Sequence, residues 1–231
     1  MFRHVLVGLL REARLDEQVF VRGLNANERT AIGTPERWSG RDHVAHIAYW
    51  RGRLATRLEA ILEDRPQPDM EHYERVNPLV FEERRHWSWP DVLANAEEAF
   101  TAHVACIERL TDEDLMAFDR HDWVGEGEPL HAVVMGSSYE HAQDHLAQYL
   151  VDRRDLPAAV AVHRRWVARV VDADTPPAMQ GAALYNLACF LATHDRVEEA
   201  RPVLERALAL HPRPWLREHA RTDPDLAILR A

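Results

Sequence analysis

Apolar residues recur along this chain at spacings of three and four, segment after segment, and strict alternation is almost absent. A strand needs a period of two and a helix one of 3.6, so the pattern confines the chain to an all-α fold without a substantial sheet. The spacing predicts a first helix over about Phe2–Val21. A second is expected after "GTPERWSGRD", with Ser39 or Asp42 as its cap, running to about Glu63, where "DRPQPDM" ends it. "EHYERVNPLVFEERRHWSW" reads as a loop with some helical character. It leads into a third helix from about Pro90, a favoured first-turn residue, to Leu110. "LTDEDL" terminates that helix and "RHDWVGEGEPL" reads as a turn. A fourth helix is then expected over about Leu130–Asp152, its inner side drawn by Leu130, Val134, His141, His145 and Tyr149. Four helices of this length make a bundle, expected over residues 1–155.

From about Leu156 the chain becomes rich in alanine and leucine, and residues 156–231 read as a separate module. Within it, "AALYNLACFLATHDRVEEARPVLERALALHP" resembles one tetratricopeptide repeat. Leu184, Leu187, Ala188, Leu191, Ala200, Leu204, Ala207 and Pro212 fall where that motif wants large, small and turn residues. Asp195 stands where the turn often has glycine, and Pro202 lies inside the second helix, where it strains the early turns. One repeat cannot bury its own face, so "LPAAVAVHRRWVARVV" and "PWLREHARTDPDLAIL" are expected to pack on either side of it.

Hydrophobic residues make up 46% and charged residues 29% of the chain, the balance of a folding globular protein rather than a disordered one. The net charge of -10, with no block of basic residues, removes the electrostatic footprint that a nucleic-acid partner requires. No apolar run approaches the roughly 20 residues that span a bilayer, and "VLVGLL" near the start lacks the form of a signal peptide. Cys106 and Cys189 match no paired motif and sit in apolar helical contexts, which points to a reducing, cytoplasmic setting.

Histidine is abundant, with 14 copies. "YEHAQDHLAQYL" places His141 and His145 four residues apart on one helix face. Imidazole suits zinc, nickel, copper and iron, and three protein ligands hold a divalent ion while leaving a position for substrate. In a bundle the third ligand comes from a facing helix, and "RDHVAHIAYW" offers His43 and His46. Periodicity sets His43 centrally on the apolar face drawn by Ile47, Trp50, Leu54 and Ile61, and His46 toward its edge. Burying two imidazoles without partners costs on the order of 1–3 kcal/mol each, which argues that the pair has a purpose. Gln148, seven residues past His141, is a candidate to orient a ligand from behind. Glu140 and Asp144 point away from the histidine face, and Trp38, Trp50, Trp87, Trp89 and Trp123 are expected to line the bundle.

Three stretches together resemble a known family: "WSGRDHVAHIAYW", "ERVNPLVFEERRHWSWPDVLANAEEAF" and "GEPLHAVVMGSSYEHAQDHLAQYL". They look like the DinB-like (YfiT-like) metal-dependent superfamily, especially its ClbS/DfsB-type branch, over about residues 1–153. The resemblance implies a four-helix bundle whose metal site takes one histidine from the second helix and an HxxxH pair from the fourth. The second-helix ligand commonly follows a tryptophan-serine helix start by about two turns, which carries over onto His46, eight residues after Trp38. The implied ligands are therefore His46, His141 and His145, with His43 in reserve. Apart from the resemblance, His43 and Gln148 are the candidates for supporting residues. The implied cofactor is a divalent metal ion, zinc or nickel first, iron or manganese next. The resemblance also implies a metal-dependent hydrolase or a low-molecular-weight-thiol S-transferase, linked to detoxification, acting on a small-molecule substrate. The other class is a non-catalytic bundle that binds a small molecule or metal, with a repeat-like tail for a protein partner or a second copy.

Overall fold

The computed structural model describes residues 1–125 and 127–230. Among these the backbone is helical, with two isolated bridges, Thr34–Arg37 and Phe118–Pro129, and no strand. The chain divides into two compact units, Met1–Leu156 and Pro157–Ala231.

In the first unit, α1 spans Phe2–Gly23 and buries Leu6, Leu10, Ala13 and Glu17, the three-and-four spacing of its inner face. A short α2 (Ala26–Thr30) follows. Helix α3 spans Gly40–Leu62; Ser39 is its cap and Asp42 closes a reciprocal capping box, so both residues named as candidates take part. Residues 73–84, expected as a loop, form α4 (Tyr73–Arg84) despite Pro78 inside it. Its Val76, Val80 and Phe81 are buried, and α4 packs on α3; that burial outweighs the one backbone hydrogen bond that Pro78 removes. Helix α5 (Trp89–Arg109) is capped by Ser88, with Pro90 in its first turn. The expected terminator "LTDEDL" instead starts a helix of its own, α6 (Asp112–Met116), because Thr111 and Asp114 form another capping box. Further on, Gly125 and Gly127 have positive φ; Glu126, in the stretch expected as a turn, lies outside the described residues.

The segment expected as one fourth helix is α7 (Leu130–Val134), a π-helical turn (Met135–Glu140) and α8 (His141–Asp152). Leu130, Val134, Ser138, Ala142 and Leu146 are buried at a strict spacing of four. At 100° per residue such a stripe drifts by about 40° per turn around a regular helix. The wider π turn takes up about one residue of that drift and keeps the stripe on the inside.

These long helices pack in the cyclic order α1, α5, α3, α8 and back to α1. Between α3 and α5 the core is built from Val44, Ala45, Ala48, Val92, Ala96 and Ala99, with Phe20, Val21, Trp87 and Trp89 against it. Small side chains let the two helices approach closely. A charged group sits in the same interior: Arg51, 1% exposed, donates through both terminal nitrogens to Glu17 and through Nε to Ser138 Oγ at 3.1 Å. Glu17 also accepts from Arg14 at 2.7 Å.

The second unit contains α9 from Leu156–Asp172, α10 (Pro177–Thr193), α11 (Val197–Leu210), α12 (Pro214–Thr222) and a 3₁₀ turn at Pro224–Leu229. Helices α10 and α11 form a hairpin whose turn holds Asp195 at φ 60°, a left-handed conformation that aspartate tolerates better than most residues. A Cβ on Gly181 would lie 2.9 Å from that of His211 and 3.0 Å from the Ala207 carbonyl, so the hairpin's close approach requires glycine there. Pro202 stays inside α11, which continues to Leu210. Tyr185 donates to Asp223 at 2.6 Å, tying the last segment to α10.

Candidate metal centre

Three imidazoles meet where α3 faces α8. Nε2 of His46 lies 3.1 Å from Nε2 of His141, and Nε2 of His145 lies 3.0 Å from the same atom. One ligating atom from each of the three falls within 4.8 Å of the others. His46 is buried, while His141 and His145 are half-buried rather than fully in the core. The i, i+4 spacing on α8 stacks the latter two, and the capped first turns of α3 bring His46 opposite them.

Trp38 covers the cluster. Its ring lies 4.4 Å from that of His46 and stacks on His145 at 5.4 Å with an interplanar angle of 9°. Trp38 is held just before α3 by the loop that Asp42 organises: Asp42 Oδ2 accepts from the Gly33 and Ser39 amides and from the Ser39 hydroxyl. Beside His46 lies a cavity of about 10 Å³ lined by Trp38, Ala45, Val80, Phe81 and Arg84, room for about one water.

Burial holds these imidazoles neutral. His46 is pushed down to about 2 by burial and by the neighbouring His141, His43 and Arg84. His141 falls to about 4 through burial and the nearby Arg51 guanidinium. Burial and the three other rings carry His145 well below the usual histidine value. Neutral imidazole is the form that binds metal. Nitrogens about 2.1 Å from a shared ion stand roughly 3.0–3.4 Å apart for angles between 90° and tetrahedral, which the two close contacts match. Without a cation, the three Nε2 atoms share one small space with no oxygen acceptor among these contacts. A cation would satisfy three lone pairs at once. The donor set fits a divalent metal ion.

The other predicted residues fall differently. His43 is buried with its Nδ1 3.0 Å from Nδ1 of His145, on the side of that ring away from the cluster. Gln148 is exposed and donates to Asp152 at 2.7 Å, so it supports no ligand. Seven residues bring it back to the azimuth of His141 but about 10.5 Å further along the axis, past the cluster. Trp50 packs edge-on to His46 and donates to Asn77; Trp87 and Trp89 join the core, and Trp123 lies under Arg57. The Arg51–Glu17 pair was not anticipated from sequence. Its only signal is a charged residue on a core register, Arg51 four residues past Ile47 and Glu17 four past Ala13.

A family model described as the DinB superfamily matches residues 9–149, more than half of the 231-residue chain, and that span contains all three clustered histidines. No curated protein and no solved structure matches. The matched span takes in most of the all-α bundle and the histidine trio between its second and fourth long helices, and the chain belongs to the DinB superfamily.

Proposed function

We propose that His46, His141 and His145 hold a divalent metal ion, zinc or nickel first and iron or manganese next. On this reading the protein is a metal-dependent hydrolase or low-molecular-weight-thiol S-transferase acting in detoxification, within the ClbS/DfsB-type branch. The observation that carries the reading is the meeting of three neutral imidazoles within 4.8 Å. When bound, such an ion supplies Lewis acidity to a water, thiol or carbonyl that reaches it. The chain's own residues do the rest. Trp38 packs against His46 and restrains His145 by stacking. It also lines a second cavity of about 120 Å³, shared with Glu28, Arg37, Ser39, Tyr149 and Arg153.

Residues 1–155 are taken as the functional bundle and 156–231 as a tetratricopeptide-like module that offers a helical surface to a protein partner or a second copy. We place the protein in the cytoplasm. The unpaired thiols Cys106 and Cys189 support that, and no helix among the described residues is long and apolar enough to cross a membrane.

A non-catalytic binding bundle is favoured by one observation. Two buried carboxylates near the site, Glu17, whose charge acts on His141, and Asp42, whose charge acts on His43, are already engaged, Glu17 by Arg51 and Arg14 and Asp42 by the cap of α3. Neither is free to act as a general base. Metal analysis of the purified protein, followed by assays on thiol conjugates and labile amides with and without chelator, separates the readings. About one ion per chain with chelator-sensitive turnover is expected. Metal without turnover supports the binding bundle, and a chain that takes up no metal refutes the metal-dependent enzyme and leaves only a bundle that binds a small molecule.

A further inference from the structure

Resting on that metal reading, we propose that His43 is a positioning residue: its Nδ1 accepts the Nδ1–H of His145 and so fixes the tautomer in which His145 presents Nε2 to the ion.

The geometry leaves little choice. His145 has its Nε2 3.0 Å from His141 Nε2 inside the cluster and its Nδ1 3.0 Å from His43 Nδ1 on the opposite side. One imidazole cannot turn both nitrogens to one ion, so His43 stands behind His145 and outside the ligand set. A ring that ligates through Nε2 as neutral imidazole carries its proton on Nδ1, and that proton needs an acceptor. His43 Nδ1 is at the distance of one. The opposite donation, from His43 to His145, would place the His145 proton on Nε2 and block the lone pair that the cluster needs.

The assignment also accounts for an otherwise costly feature. His43 is 2% exposed and its Nε2 has no hydrogen-bond partner among the described residues. If Nδ1 is the acceptor, the orphan is the N–H on Nε2, and the chain tolerates it to keep the other bond. Around it, His43 meets Tyr149 edge-on at 6.1 Å and Trp38 at 5.6 Å, and it sits in the first turns of the capped helix α3. The two contacts on His145 act along different directions. Trp38 lies nearly parallel to its ring and opposes tilting, while the hydrogen bond holds its Nδ1 edge and opposes rotation.

The test is a zinc titration by chelator competition on the full chain, comparing wild type with His46→Ala, His43→Phe and His43→Asn. Phenylalanine keeps the ring volume and removes the acceptor; asparagine places a carbonyl oxygen near the Nδ1 position. Wild type and His43→Phe are expected to bind one zinc per chain, with affinity about 10–100-fold weaker in His43→Phe and largely restored in His43→Asn. In the zinc-loaded wild type, proton NMR should show a slowly exchanging Nδ1–H of His145 that is lost in His43→Phe and returns in His43→Asn. A His43→Phe chain that binds as tightly as wild type overturns the assignment. So does one that loses its stoichiometry as His46→Ala does, which would make His43 a ligand. An Asn variant no better than the Phe variant reduces the effect to packing and also overturns it. A wild type that binds neither zinc nor, in the same competition, nickel, iron(II) or manganese sinks the metal reading itself, a result distinct from the other three.

Discussion

Arg51 and Glu17 show how a single buried charge is tolerated in this bundle. Each would be expensive alone; together, with Arg14 and Ser138 completing their hydrogen bonds, they are matched in geometry. Arg51→Leu leaves the Glu17 carboxylate with Arg14 alone and is expected to cost about 3–5 kcal/mol in urea unfolding, part of it recovered when Glu17→Leu is added to the same chain. An additive double variant would show that the two do not depend on each other. His103 is a second residue-scale case: it is 0% exposed with neither ring nitrogen hydrogen-bonded among the described residues, and burial pushes it down to about 3. Because its folded value lies below the ordinary 6.5, the unfolded chain takes up the proton first as pH falls. Stability is therefore complete above about pH 6.5 and is lost progressively toward pH 3, by at most about 1.4 kcal/mol per pH unit. Unfolding free energies of His103→Leu between pH 7 and 4 should fall less steeply than those of wild type by up to that slope. An identical slope would show that this imidazole does not titrate in the window.

Among the elements, the start of α3 matters most, because Trp38, His43 and His46 all depend on where it begins. A Cβ on Gly33 would lie 2.5 Å from the Arg37 carbonyl oxygen and 2.6 Å from the Ser39 amide nitrogen, backbone atoms that cannot step aside singly. Gly33→Ala is expected to destabilise by about 1–3 kcal/mol in chemical denaturation and to weaken zinc binding with it, since the cap loop carries Trp38. Ser39→Ala should cost about 0.5–2 kcal/mol, as removal of a helix cap does. A Gly33→Ala chain of unchanged stability would show that the loop relaxes without moving α3. The caps, the long helices and the HxxxH pair are legible in sequence because they rest on local chemistry: a serine before an apolar run, residues three and four apart. Helix α4 and the π turn are not, since both exist to satisfy a face. Val76, Val80 and Phe81 make a helix out of a proline-bearing stretch only when α3 is there to receive them. The π turn had one sequence trace, the spacing of four from Leu130 to Leu146.

At the scale of the whole molecule, each unit has a core of its own, built from α1, α3, α5 and α8 in the first and from the α10–α11 hairpin in the second. A chain ending at Asp155 is expected to stay helical by circular dichroism and to bind zinc within a few-fold of the full protein; a truncated chain that is unfolded would show that the bundle depends on the rest. Local periodicity already determines the all-α class and the long helices, and spacing gives the HxxxH pair; His46 as the third ligand comes from the resemblance to the DinB-like superfamily, against a periodicity that centres His43. Choosing between His43 and His46 is different. Both lie on one helix, a single turn apart, and face the same neighbour. Only the register between α3 and α8 sets the Nε2 of His46 against His141 and puts His43 behind His145, because a slide of about one helical turn between packed helices exchanges their roles while leaving every local preference satisfied. The same holds for Gln148, on the right azimuth but past the end of the cluster: azimuth is a property of one helix, and depth belongs to the pair.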